Sequence, residues 1–282
     1  MKKYICLLVL ALLIIHAETG EGAGEPQNLR IISLAPATTE ILFALGLDDE
    51  IVGVSSFCDY PEEAKGKEKV GTFSYLNAEK ILSLKPDIIF GTGLEQASAV
   101  TMLRGLGLRL YVSDPVTIEE LLFSIKEIGK LTGRSREAEK LTKKMRDEMI
   151  RLSRRAGTGE DRPKVFIEIW DDPLLTAGGK SFINELITLA GGVNIAGDMK
   201  KAYGYFSAEQ VIKRDPDYII LTYMSEERPL DVVKKRLGWS DISAVRMSRV
   251  YNDIDSDILL RPGPRLIEGL KALERRITRK DE

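Results

Sequence analysis

The chain has 282 residues, with 41 Lys and Arg against 43 Asp and Glu and a formal net charge of −2. That balance lacks the basic bias that nucleic-acid binding needs. The single His, His16, and one of the two Cys, Cys6, both lie in the first 16 residues.

Lys2 and Lys3 precede an apolar run from Tyr4 to Ile15, and small and polar residues follow from Ala17 to Gly24. The run is short for a bilayer span and reads as the core of a signal peptide, residues 1–23. Ala17 and Ala23 both offer cleavage points. Cys6 lies inside the run, without the small-residue context that lipid attachment needs. The expectation is a soluble exported, periplasmic protein with no stable membrane insertion. Removal of the peptide leaves no His and one Cys, Cys58. That excludes Ser-His-Asp and Cys-His catalysis, His-ligated zinc and an intrachain disulfide.

Leu29–Ala35 reads as a buried strand ended by Pro36. A helix follows, with Thr38 or Thr39 near its N-cap, Ile41, Leu42, Ala44 and Leu45 on its apolar face, and Gly46 at its close. Ile51–Ser55 is a second strand and Ala78–Leu84 a short amphipathic helix. Ile88–Phe90 and Leu108–Val112 are further strands, and Ile118–Leu131 is a helix ending near Gly133. This alternation predicts an α/β fold with a parallel sheet. Ser135–Arg155 contains neither Pro nor Gly, and Leu141, Met145, Met149 and Leu152 recur at helical steps. It reads as one amphipathic helix of about 30 Å. Gly157–Pro163 breaks it. The alternation resumes at Val165–Ile169, Ile183–Leu189, Tyr218–Leu221 and Val250–Ile254, before a final helix, Arg265–Ile277.

The two halves repeat each other. Ala78–Phe90 aligns without a gap on Ala208–Ile220 at a constant offset, since 208 − 78 = 130. An aromatic-Ser pair stands upstream in both, Phe73-Ser74 and Phe206-Ser207. The repeat predicts two similar α/β lobes, residues 28–133 and 162–280, joined by the long helix at 134–157. A cleft between lobes is a common ligand site.

Ala177-Gly178-Gly179-Lys180-Ser181 ends like a phosphate loop, but Leu174 stands where its first Gly is required. Asp253 to Asp257 begins like a calcium loop, but Ile258 replaces its Gly and Pro264 its closing Glu. Three segments are more informative. Ser55-Ser56-Phe57-Cys58-Asp59-Tyr60-Pro61 follows a strand and offers aromatics and hydroxyls where open α/β sheets bind ligands. Tyr203-Gly204-Tyr205-Phe206 is an aromatic loop suited to a flat ligand. In Ser256-Asp257-Ile258-Leu259-Leu260-Arg261-Pro262-Gly263-Pro264-Arg265, two Pro and a Gly between two Arg fix a rigid turn before the last helix, from which one Arg can reach a carboxylate or phosphate. Core packing remains the alternative for the aromatics, and a helix-initiating turn with surface Arg for the last segment.

These segments, with Arg30-Ile31-Ile32-Ser33-Leu34-Ala35-Pro36-Ala37-Thr38-Thr39-Glu40 and Leu84-Lys85-Pro86-Asp87, resemble in order and spacing the periplasmic binding proteins of the iron-siderophore, haem and cobalamin ABC importers. The similarity runs from Arg30 to Ile277 and is nearest the cobalamin-binding branch. It implies two Rossmann-like lobes with parallel sheets, bridged by one long α-helix, and a transported corrinoid rather than a required cofactor. By position it places Phe57, Tyr60, Phe73, Trp170, Tyr203, Tyr205, Asp257, Ile258, Leu259, Leu260 and Arg261 against the ligand. It implies a permease dimer with its ATPase as partner, docked by one exposed Glu per lobe, Glu79 and Glu209. It implies no enzyme activity, although carboxylate-only hydrolysis stays open on composition. Phe73 and Tyr203 stand where cobalamin binders often carry Trp, and Ile258 and Leu259 replace bulkier aromatics. A ferric siderophore or Tyr-ligated haem therefore stays open as ligand.

Overall fold

The computed structural model describes residues 29–72, 75–93, 96–156, 162–223 and 230–278. The expected signal peptide, Phe73 and Ser74 lie outside the described residues. β1 (Ile31–Ser33) is wholly buried and leads into α1 (Pro36–Ala44). Pro36 starts that helix because its missing N–H is no loss at a first turn. The N-cap is Ala35, earlier than the expected Thr38 or Thr39. Thr39 instead lies inside the first turn, its hydroxyl 2.8 Å from Ser33 Oγ. β2 (Ile51–Val54), α2 (Glu62–Lys65), α3 (Ala78–Ser83), β3 (Ile88–Gly91), α4 (Ala97–Gly105) and β4 (Leu110–Val112) complete the first lobe's sheet and its flanking helices. The sheet is parallel throughout, in the order β2-β1-β3-β4.

α5 (Ile118–Leu131) begins with a reciprocal capping box between Thr117 and Glu120. α6 (Ser135–Ala156) is the long bridging helix. It buries Met145, Met149 and Leu152 as its periodicity requires, while Leu141 is only partly covered. α6 packs on α5 from the first lobe and on two helices of the second lobe. One contiguous hydrophobic core therefore runs from Ile31 and Phe90 through Met145 and Met149 to Ile183 and Leu270.

The second lobe follows with β5 (Lys164–Asp171), β6 (Leu174–Ala177), α7 (Phe182–Leu189), β7 (Val193–Asn194), β8 (Tyr203–Tyr205), α8 (Ala208–Arg214), β9 (Tyr218–Leu221), α9 (Leu230–Lys234), α10 (Ser243–Arg246), β10 (Val250–Tyr251), α11 (Ser256–Leu260) and α12 (Leu266–Thr278). Its sheet has the order β10-β9-β5-β6-β8. Strands β5, β9 and β10 are parallel, but β6 runs antiparallel to β5, and β8 antiparallel to β6. The second sheet is thus mixed, a correction to the expected parallel one. The cause is local: Asp172-Pro173 turns the chain straight back, and so short a link can join only antiparallel strands. Tyr203–Tyr205 is likewise an edge strand rather than a loop.

The duplication holds in backbone detail. Arg30 N donates to Asp87 Oδ2 at 2.7 Å, and Lys164 N donates to Asp217 Oδ2 at 2.7 Å. Arg30 Nε donates to Leu84 O at 2.8 Å, and Lys164 Nζ to Arg214 O at 3.1 Å. Asn77 caps α3 through Lys80 N, and Ser207 caps α8 through Gln210 N. Lys85 and Asp215, one repeat apart, both take left-handed backbone, with φ of 46° and 45°.

That conformation costs a non-Gly residue about 1–2 kcal/mol. Lys85→Gly is expected to stabilise the fold by about 0.5–1 kcal/mol. Asp215→Gly should instead destabilise it by about 1 kcal/mol or more, because Asp215 accepts from Ser243 N at 2.7 Å and Ser243 Oγ at 2.8 Å. Urea-denaturation midpoints of the two variants check this difference in sign.

Candidate ligand cleft

The two lobes meet at an ionic cluster. Arg261 follows α11 of the second lobe, and Asp59 follows β2 of the first. Arg261 Nη1 lies 2.7 Å from Asp59 Oδ1, and Arg261 Nη2 lies 2.9 Å from Asp257 Oδ2. Arg265 donates two hydrogen bonds to Glu40 of α1, at 2.6 and 3.0 Å. The Arg265 guanidinium also covers the Tyr60 ring at 3.8 Å. The Glu40 side chain is only 2% exposed, so it has exchanged water for this bidentate partner. The rigid Arg-Pro-Gly-Pro-Arg turn sets both guanidiniums toward carboxylates of the opposite lobe. Burial alone would raise the Asp59 carboxyl, but the Arg261 hydrogen bond and charge outweigh it and hold the group below its ordinary range. Asp257 is pushed up by burial despite the Arg261 charge.

Beside this cluster, Cys58 anchors the loop after β2. It is fully buried, with its thiol 3.1 Å from Thr39 Oγ1 and 3.2 Å from Ser55 Oγ. That anchor leaves neighbouring Phe57 45% exposed at the end of the sheet. In the second lobe a register irregularity in β5 falls between Glu168 and Trp170, and Trp170 pairs with Leu175, which pairs with Tyr205. Cross-strand partners share a face, so Trp170, Leu175 and Tyr205 form one row across three strands. Trp170 is 48% exposed, and its indole N–H donates to Asp172 O at 3.0 Å.

A second buried charge supports this end of β5. Glu168 is fully buried and takes two hydrogen bonds from Arg236, at 2.7 and 2.6 Å, and one from the Tyr223 hydroxyl. Arg236 lies 4.6 Å from the Trp239 ring centroid. At the other lobe contact, Glu185 of α7 accepts from Ile118 N at 2.8 Å, and Phe182 N donates to Val116 O at 2.6 Å. Burial pushes the Glu185 carboxyl up, and the nearby Glu120 and Glu119 add to it.

The candidate residues therefore divide. Tyr60, Asp257 and Arg261 join in the ionic cluster. Phe57 and Trp170 present half-exposed rings. Ile258 and Leu260 are partly buried against the core. Leu259 is fully buried in it, so the sequence expectation of a ligand-facing Leu259 is corrected to a packing role, fixed by the helical turn of α11. Tyr203 packs edge-on against Phe182 at 6.4 Å, and burial pushes its phenol up. Phe73 lies outside the described residues. Glu79 and Glu209 are both exposed in the first turns of α3 and α8.

The periplasmic binding protein family matches residues 31–256. The chain belongs to that family. It is 38% identical over 256 residues to an uncharacterized ABC transporter substrate-binding lipoprotein of Bacillus subtilis, covering 88% of this chain and 79% of the relative. Among solved structures, a possible iron-binding, periplasmic solute-binding protein of Staphylococcus epidermidis superposes with a TM-score of 0.78 at 33% identity, covering 89% of this chain and 98% of that one. The periplasmic vitamin B12 binding protein of Vibrio cholerae superposes with a TM-score of 0.73 at 30% identity, covering 88% and 96%. These relatives are solute-binding proteins, and the two-lobe α/β fold is theirs.

For this periplasmic binding protein, sequence reasoning missed Glu40, Asp59, Glu168 and Arg236 as structural partners. Glu40 and Arg265 are 225 residues apart, and no local pattern joins them. The paired Arg around Pro-Gly-Pro were the only signal. Arg265→Ala strands a buried carboxylate and is expected to cost about 3–5 kcal/mol in urea denaturation. A loss below about 1 kcal/mol would contradict the buried pair. Asp59 is held below its unfolded value of 3.8, so its contribution is present above that pH and lost as pH falls through the lower folded value. Asp59→Asn should therefore flatten the acid limb of the stability curve, by less than about 1 kcal/mol because the group is half exposed.

Proposed function

We propose that this chain is an exported solute-binding protein that holds cobalamin or a related corrinoid between its lobes and delivers it to an ABC importer. Its partners on this reading are a permease dimer and the attached ATPase, reached through Glu79 and Glu209. The observation that carries the reading is the pair of half-exposed rings, Phe57 and Trp170, at the carboxyl ends of strands in the two lobes. Flat apolar faces with a polar strip of Asp59, Asp257 and Arg261 suit a macrocycle with a hydrogen-bonding rim. The likeness to the Vibrio cholerae vitamin B12 binding protein supports the corrinoid assignment. The exported, periplasmic location rests on the family and on the apolar opening run. Among the described residues no helix is long and apolar enough to cross a membrane.

The acids nearest the cleft favour holding over catalysis, since Asp59 and Asp257 are both bonded to Arg261. An iron-siderophore ligand is the second reading, favoured by the likeness to the Staphylococcus epidermidis protein. Calorimetric titration of the mature protein with cyanocobalamin at tens of micromolar is expected to give saturable heat. Trp170→Ala should weaken that binding by about tenfold. Absence of heat would reject a corrinoid, and ferric siderophores and haem titrated in the same way would then identify the ligand class.

A further inference from the structure

The duplication reaches further than the Glu positions. With 75 + 130 = 205 and 79 + 130 = 209, the repeat carries Tyr75 onto Tyr205 together with Glu79 onto Glu209. Tyr75 is 72% exposed and Tyr205 is 74% exposed. The exposure pattern along the two segments also matches. Tyr75, Asn77 and Glu79 are exposed in one lobe, as are Tyr205, Ser207 and Glu209 in the other. In each lobe the Tyr precedes a capped helix start by two residues, and the Glu lies in the first helical turn.

Both segments lie at the outer margin of their sheets. β8, which ends at Tyr205, is the edge strand of the second sheet. In the first lobe, Lys69 bridges Val54 of edge strand β2, and Gly71 pairs with Leu76 in a narrow turn that carries Tyr75. That turn is built for its shape. Gly71 has a φ of +136°, and a Cβ there would collide with the Tyr75 carbonyl. Thr72 N donates to Tyr75 O at 2.7 Å, and Tyr75 N donates to Thr72 Oγ1 at 3.2 Å.

We propose that the importer is gripped by two Tyr–Glu doublets, Tyr75 with Glu79 and Tyr205 with Glu209, so that Tyr205, the edge-strand end of the row that Trp170 begins, belongs to the docking rim rather than to the ligand cleft. This rests on the delivery reading above. A duplicated doublet fits a partner that itself presents the same surface twice, which a permease dimer does. An exposed phenol ring four residues before an exposed carboxylate offers a guanidinium one group to stack on and one to pair with. Tyr and Arg are also the residues most enriched in binding hot spots. A lone carboxylate in water contributes little, and a ring covering one side of the pair removes water from it.

The test measures binding of the purified mature protein, without ligand, to its cognate permease–ATPase complex in nanodiscs. Tyr75→Ala, Tyr205→Ala, their double, and Glu79→Ala with Glu209→Ala are compared, and cyanocobalamin affinity is measured in parallel. Each Tyr variant is expected to weaken docking by about tenfold and the double by about a hundredfold, with cyanocobalamin affinity unchanged. Wild-type docking by the Tyr variants, with docking lost in the Glu double variant, overturns the doublet and leaves the delivery reading standing. Wild-type docking by the Glu double variant overturns the doublets, whereas failure of the unmutated protein to dock overturns the delivery reading itself. Weaker cyanocobalamin binding by Tyr205→Ala with docking intact returns Tyr205 to the cleft and overturns the proposal.

Discussion

The arrangement of the two lobes depends on one buried ion pair. Glu40 belongs to the first helix of one lobe and Arg265 to the turn before the last helix of the other. A carboxylate that has given up nearly all its water is stable only opposite a matched donor, so the pair tolerates one relative placement of α1 and the final turn. Arg261, four residues before Arg265, extends the same contact to Asp59 and lies 3.8 Å from Glu40. Tyr60 closes it by lying under Arg265. The Pro-Gly-Pro between the two Arg keeps both guanidiniums on one short, stiff segment.

Two other features act in the same sense. The bridging helix has no Pro or Gly to bend it, and its apolar stripe sits in a core shared by both lobes. At the start of α5, Glu185 and Phe182 fasten the second lobe to the segment leaving the first sheet. A continuous helix packed along both lobes is a poor hinge. On the corrinoid reading, Phe57 and Trp170 are thus held at a nearly fixed spacing, which would suit capture of a large rigid molecule.

Most of the scaffold was legible because it rests on periodicity. The long helix, the strand β3 and the helix α5 follow from apolar spacing and capping residues that act locally. The repeat was legible for the same reason, and its hydrogen bonds recur at Asp87 and Asp217 with the same length. What escaped was set by contacts distant in sequence or by brief elements. Leu174–Ala177 is four residues long and shows no alternation, so its reversal of direction was hidden. Leu259 looked available in a segment read as a turn, until α11 rotated it inward. Nothing local marks Glu40 and Glu168 as paired, because their Arg partners lie 225 and 68 residues away. The candidate site was therefore legible as a set of segments, but not as a set of pairings.

The central claim is that these pairings hold the lobes at one spacing before any ligand arrives. Spin labels at Leu106→Cys and Leu237→Cys would report it, one exposed site on each lobe, while buried Cys58 stays unlabelled. Pulsed electron-electron resonance on the ligand-free protein should give a single narrow distance population. The Arg261→Ala, Arg265→Ala double variant should broaden it or add a second. Two populations in the otherwise wild-type protein, or an unchanged narrow distance in the double variant, would contradict the account.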